Sequence, residues 1–253
     1  MQKIKAALIH FSLSLLLFSL VMALLVLHWY PLPYFWAEGA WRGVRIAALV
    51  DVVLGPLLTL IVYRKGKKSL KLDLGLIALM QISALLWGLH TIYQIRPLFV
   101  VFGNIAGQGV LHTVILDEIG GTAKSPDALA KLAKNNPFNP PLVFLRRPPV
   151  SQPPDRKELY QLNMSQIYYQ DADRYQPYSD NELNAVLDNG LRRKFFDALK
   201  ARDKKEFERF LAKHNGRFDD YSFVPLHCHF QALILVFDKK QRKVTDYLEI
   251  TPP

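Results

Sequence analysis

The chain has 253 residues, half of them hydrophobic, with 32 Lys+Arg against 22 Asp+Glu and a formal net charge of +10. Its apolar residues crowd into three blocks before Arg96, so the natural division is one unit in lipid and one in water. The charge excludes nucleic acid on inspection. Nine Lys/Arg and three acids lie up to Asp73, and beyond it 23 Lys/Arg are interleaved with 19 acids, which leaves no acid-free basic face.

The first block, about residues 6–28, has no formal charge between Ala6 and Leu27 and is long enough to cross a hydrocarbon core roughly 30 Å thick. It is longer than the apolar core of a cleaved signal and runs into His28-Trp29-Tyr30-Pro31, so an uncleaved anchor is expected. Pro31 and Pro33 stop this helix and force an extended turn. Trp29, Tyr30, Tyr34, Phe35, Trp36 and Trp41 form a belt of rings suited to a membrane surface.

The second span, about 44–63, holds Asp51 and the pair Gly55-Pro56, with Asp51 toward its first end. The third, about 72–93, has Asp73 at its start and Gln81 and His90 further along. Lys3 and Lys5 precede span one, and Arg64, Lys65, Lys67, Lys68 and Lys71 fill the connection between spans two and three. The excess of Lys/Arg on cytoplasmic loops places both segments inside and exports everything after the third span. The expected domains are a three-helix transmembrane unit over 1–95 and a periplasmic α+β unit over 96–253.

In the second unit, Leu98–Phe102 and Val110–Leu116 read as strands. Ser125-Pro126 opens a short helix, and seven prolines between Pro137 and Pro154 predict a stiff, extended connection. Ser179-Asp180-Asn181-Glu182 caps a helix whose apolar positions run from Leu183 through Val186, Leu187 and Leu191 to Phe195; Asp203 starts another. Ser222–Leu226, Phe230–Phe237 and Lys243–Ile250 close the chain as strands, the last two joined by a hairpin-sized turn. The fold class is therefore a membrane all-α bundle followed by a soluble α+β domain, with one antiparallel sheet pairing the terminal strands.

Asp51 is the most informative polar residue, because an acid within a span is costly and faces protein. It either contacts another transmembrane segment or packs within its own bundle. Gly55-Pro56 is read the same two ways, as a kink that only shapes the bundle or as a close-approach surface. An intramembrane dyad of Asp51 with Asp73 fails, because helical rise separates them by on the order of 15 Å in depth. Asp73 is expected to pair with its lysine neighbours. His227-Cys228-His229 has metal-ligand residue types, but on a strand its side chains diverge, so no metal is expected. Cys228 is the only cysteine, which excludes an intrachain disulfide. Tyr168, Tyr169, Tyr175, Tyr178 and Tyr221 are expected mainly in core and rim packing. No phosphate-cradling glycine motif or nucleophile elbow is present, so neither an enzyme nor a cofactor is expected.

Trp29-Tyr30-Pro31-Leu32-Pro33-Tyr34-Phe35, Asp51-Val52-Val53-Leu54-Gly55-Pro56-Leu57-Leu58-Thr59-Leu60, Lys68-Ser69-Leu70-Lys71-Leu72-Asp73-Leu74 and Tyr93-Gln94-Ile95-Arg96-Pro97 follow one another in an order and spacing that resembles the TfpX/TfpZ family of type IV pilin accessory proteins. Arg174-Tyr175-Gln176-Pro177-Tyr178 extends the resemblance more loosely. The resemblance implies a multi-pass protein of a bacterial inner membrane that acts as a chaperone or stabiliser for its cognate major pilin, with membrane lipid and the pilus assembly machinery as further partners. On it rests the expectation that Asp51, Gly55, Pro56, Tyr30, Pro31, Pro33, Tyr34 and Phe35 contact pilin, with Asp51 meeting the pilin's N-terminal amine. A membrane-anchored ligand-binding or sensor protein and an unrecognised exported enzyme are the alternatives; the short cytoplasmic segments leave little room for a sensor's output module.

Overall fold

The computed structural model describes residues 2–105, 108–121, 124–146, 167–191, 193–214 and 218–250. The chain divides into two compact units, Met1–Arg96 and Pro97–Pro253.

The first unit is built on three helices long and apolar enough to cross a membrane: α1 (Gln2–Trp29), α3 (Ala40–Val62) and α4 (Leu70–Gln94). Between α1 and α3 lies the single-turn helix α2 (Tyr34–Ala37). Gly39 adopts φ 77°, a left-handed turn that a residue with a side chain resists, and α3 therefore starts at Ala40, earlier than its apolar run suggests. The extra turn moves Asp51 from near one end to the midpoint of the helix, eleven residues from either terminus.

α3 is the central helix, packing against α1 along its second half and against α4 along its length. The segment after α1 folds back as a cap in which Leu25, Tyr30, Phe35, Ala40 and Ile92 bury one another. This cap also completes α4. The last carbonyls of a helix lack intrahelical donors; Tyr30 Oη donates to the Ile92 carbonyl at 2.8 Å, and Arg96 Nη1 donates to that of Tyr93 at 2.7 Å. The Trp29 ring meets Tyr93 edge-on with centroids 5.0 Å apart. At the opposite end of α4, Lys67 Nζ lies 2.7 Å from Asp73 and Ser69 Oγ donates to the same carboxylate, so Asp73 is paired as expected.

The second unit is one seven-stranded sheet of β1 (Pro97–Ile105), β2 (Gln108–Ile115), β3 (Leu142–Leu145), β4 (Tyr175–Gln176), β5 (Tyr221–His227), β6 (Ala232–Asp238) and β7 (Lys243–Glu249). In space the order is β4-β3-β1-β2-β5-β6-β7. The terminal strands do share a sheet, but it is mixed, correcting the antiparallel expectation. β1 runs parallel to β3, and β2 parallel to β5, with Leu111 opposite Leu226. Hairpin neighbours can only be antiparallel; β5 returns through a long helical crossover, which permits the parallel pairing. That crossover contains α5 (Pro126–Ala133), the short α6 (Ile167–Gln170), α7 (Asp180–Asp188), α8 (Arg193–Arg202) and α9 (Lys204–Lys213).

Local chemistry explains these elements. Ser125 Oγ and Ser179 Oγ each accept the backbone N–H three residues on, at 3.3 Å, and cap α5 and α7. The single helix expected from Leu183 to Phe195 is two. It stops at Asn189-Gly190, where a Cβ on Gly190 would lie 2.6 Å from Ser222 Oγ and 3.0 Å from the Phe223 carbonyl. Leu191 N–H then donates to that carbonyl at 2.7 Å, stitching the break to β5. The proline-rich connection hides β3. Before it, Asn136 donates to the Leu142 carbonyl at 2.7 Å and accepts from the N–H groups of Phe138 and Leu142, so one side chain clamps the turn. The part of this connection beyond Arg146 lies outside the described residues.

Two apolar clusters form among the described residues of this unit. One joins Phe99, Val101, Val114 and Val143 of the sheet to Leu132 of α5 and to Tyr169 and Tyr175. The other packs Phe207 and Phe210 of α9 and Phe196 of α8 on Phe223, Ile234, Val236 and Leu248. Phe210 is fully enclosed, with its ring against His214, Tyr221 and Phe223. Phe210→Ala is expected to destabilise the second unit by about 3–5 kcal/mol. Pulse proteolysis of the full chain in detergent reads this, and the lipid-facing Leu16→Ala is expected to leave the transition unchanged.

Candidate functional site

The polar groups of the membrane unit converge at the middle of α3. Residues Leu49–Leu54 form a π-turn, in which each N–H reaches the carbonyl five residues back, as Gly55 N–H does to Val50. The next donor in that series would be residue 56, reaching the carbonyl of Asp51. Residue 56 is proline and has no N–H. Gln81 of α4 supplies the missing donor, its Nε2 lying 3.3 Å from the Asp51 carbonyl oxygen. Gly55 makes room for it, since a Cβ there would lie 2.1 Å from Gln81 Nε2. Asp51, Gly55 and Pro56 thus act together on this stretch of α3, and a fourth residue that the sequence showed only as one polar position in span three completes them.

One turn further along α3, Thr59 Oγ1 and His10 Nδ1 of α1 are hydrogen-bonded at 2.6 Å. Asp51 itself is 7% exposed, and its Oδ1 is buried without a hydrogen-bond partner among the described residues. Because α1 and α4 both pack on α3, a groove of about 790 Å³ remains between them, walled by residues such as Leu13, Leu17, Ile82 and Leu85 and floored by Asp51 and Thr59. A second hollow of about 360 Å³ adjoins it at Asp51 and continues toward the cap past Gly43, Ala47, Ala84 and Gly88.

The expected contact residues of the cap are mostly turned inward. Tyr30, Pro33, Tyr34 and Phe35 are buried within the unit and Pro31 is half-buried. The side chains presented outward there are Leu32 and Trp36. Alternation of buried and exposed positions through a turn of two prolines has no fixed period, so the sequence could not separate the two sets.

In the second unit, His112, Tyr169 and His227 stack at the β2–β5 junction, with ring centroids 3.7 Å and 4.8 Å from His112. Loss of surrounding water, aided by the His227 charge, holds the His112 pKa down to about 3. His229 Nε2 lies 2.9 Å from Glu118 Oε1. Burial pushes the Glu118 carboxyl up, but His229 and the Ile115 N–H outweigh it and hold the group below the usual range. Among the described residues no three His, Cys, Asp or Glu converge on a point that would hold a metal ion. Tyr169 and Tyr175 are core residues, and Tyr178 packs on Phe138.

These features define a membrane protein with a helical bundle, a polar focus inside it, and a soluble mixed-sheet domain. Comparison with known proteins makes this particular. Residues 1–39, covering α1 and most of the cap, match the family model described as "Fimbrial assembly protein FimB". The chain is 39% identical over 117 residues to the fimbrial assembly protein of serogroups C1 and C2 of Dichelobacter nodosus, over 44% of this chain and 87% of that protein. It is 33% identical over 144 residues to the serogroup I protein of the same organism, over 54% of this chain and 52% of the relative, and equally to the serogroup E1 protein. The chain thus spans about half the length of these last two. It belongs to the fimbrial assembly protein family. No solved structure matches it.

Gln81→Ala is expected to destabilise the bundle by about 1–3 kcal/mol by leaving the Asp51 carbonyl unmet in lipid. In a Pro56→Ala background, which restores an N–H, most of that cost is expected to vanish; a double-mutant cycle on thermal unfolding in detergent measures it. In the second unit, His112 takes up a proton in the unfolded chain near pH 6.5 but in the folded one only near pH 3. Stability contributed by the neutral ring is therefore lost as pH falls through this window, with a slope approaching about 1.4 kcal/mol per pH unit. His112→Gln is expected to flatten that limb of the pH–stability curve.

Proposed function

We propose that this chain is an inner-membrane accessory protein of the TfpX/TfpZ type that stabilises its cognate type IV pilin before or during pilus assembly. The observation that carries the reading is the identity to proteins named for fimbrial assembly, one of which the chain covers over 87% of its length. Three helices long enough to cross a membrane, joined to a soluble domain, suit a client that keeps an apolar helix in lipid and a globular head in water.

The reading assigns no chemical step. Its orientation has the N-terminus and the basic Arg64–Lys71 loop in the cytoplasm and the mixed-sheet domain in the periplasm, from the distribution of Lys and Arg. The membrane unit holds the client's helix and the periplasmic domain holds its head. Two such contacts on one chain raise the effective concentration of each for the other, so neither needs to be tight. Leu32 and Trp36, exposed on the cap, are placed to contribute where the two parts of a client meet at the membrane surface.

The test is affinity purification of the full-length chain from membranes of its own organism, paired with a deletion strain. The pilin is expected to co-purify, and the deletion is expected to lower pilin abundance and surface piliation. Unchanged pilin levels and piliation in the deletion would exclude the role. Topology is read in the same strain: a periplasm-active reporter is expected to work after residue 250 and to be silent between Arg64 and Lys71.

A further inference from the structure

We infer that the groove between α1 and α4 is a receptor for a single transmembrane helix of a client, and that it reads a hydrogen-bond donor which that helix brings to Asp51 Oδ1 in the middle of the membrane. The inference rests on the accessory-protein reading and specifies the chemistry of its client.

Three observations carry it. The groove is open and mostly apolar along its walls, and runs from Lys5 to Leu17 on α1, about 18 Å at the helical rise, or three turns of a guest helix. Its floor carries one acceptor with nothing to accept. Near it, His10 is paired with Thr59, and Gln81 Nε2 donates to the Asp51 carbonyl. Asp51 Oδ1 is left over, and a carboxyl group keeps an acceptor oxygen whether or not it carries a proton. Beyond Asp51 the hollow continues past Gly43, Ala47, Ala84 and Gly88, small residues that let a backbone approach closely.

Complementarity selects the occupant. A lipid acyl chain fills apolar space but brings no donor, and lipid headgroups lie roughly 16 Å from the midpoint of α3. A helix segment brings a donor to that depth as a hydroxyl, a side-chain amide or an amine. The requirement is sharp because no water is at hand in the hydrocarbon to substitute. A client helix without a donor at that level would leave Asp51 as it is now. The groove thus discriminates among apolar helices that hydrophobicity alone would treat as equal.

The test uses the full chain in cell membranes with the pilin present. A photo-crosslinking residue is placed at the groove positions Leu13 and Ile82 and, as controls, at the lipid-facing positions Leu16 and Leu79. Pilin adducts are expected from Leu13 and Ile82, and recovery of pilin is expected to fall by about tenfold in Asp51→Leu, which removes the acceptor. Loss of pilin with unaltered thermal unfolding of Asp51→Leu supports the inference. Asp51→Asn separates the donors: it keeps an acceptor, so retention points to a hydroxyl or amide and loss to an amine. If pilin co-purifies but adducts form equally at Leu16 and Leu79, come from lipid alone, or survive Asp51→Leu, the groove is not the receptor while the accessory role stands. Failure of pilin to co-purify at all overturns both.

Discussion

In a hydrocarbon medium a backbone carbonyl freed by proline has no water to turn to, and one such carbonyl organises the membrane unit. Pro56 denies a donor to Asp51, Gln81 provides one from the neighbouring helix, and Gly55 clears the path. A single hydrogen bond thereby fixes the rotation of α4 against α3. One turn away the His10–Thr59 pair does the same for α1. The three helices are held by matched polar groups on α3, and the space between α1 and α4 is what remains once α3 has taken both as neighbours.

The cap belongs to the same economy of polar groups. Tyr30 and Arg96 supply donors to the terminal carbonyls of α4, and the aromatic residues around Tyr30 keep that bond dry. Aromatic residues near a membrane surface are commonly interface anchors. Here Tyr30 and Phe35 work inward, and the residues left to face outward are Trp36 and Leu32.

Much of this is legible in the sequence. Apolar length gave the three spans, and the cap serines Ser125 and Ser179 marked two helix starts because their chemistry is local. Asp51, Gly55 and Pro56 stood out because each is expensive in a span. Their partner did not, because Gln81 is thirty residues away and nothing in its neighbours announces which carbonyl it meets. The mixed sheet was hidden for a related reason. Strand existence is written in alternation, but strand direction depends on how a connection crosses, and Leu111 and Leu226 say nothing of each other locally. The break at Gly190 was likewise set by β5, a distant strand, and not by the periodicity of Leu183, Val186 and Leu187.

The parallel seam between β2 and β5 has a consequence for biogenesis. β1 and β2 follow directly on α4, whereas β5 emerges more than a hundred residues later. Throughout that interval of synthesis the β2 edge has no partner and offers its N–H and C=O groups to any extended chain nearby. The β2 edge is covered only when β5 arrives, so a chain cut short before Tyr221 carries an adhesive edge. A nascent chain that displays a bare strand edge has a built-in reason to fold quickly once β5 is free.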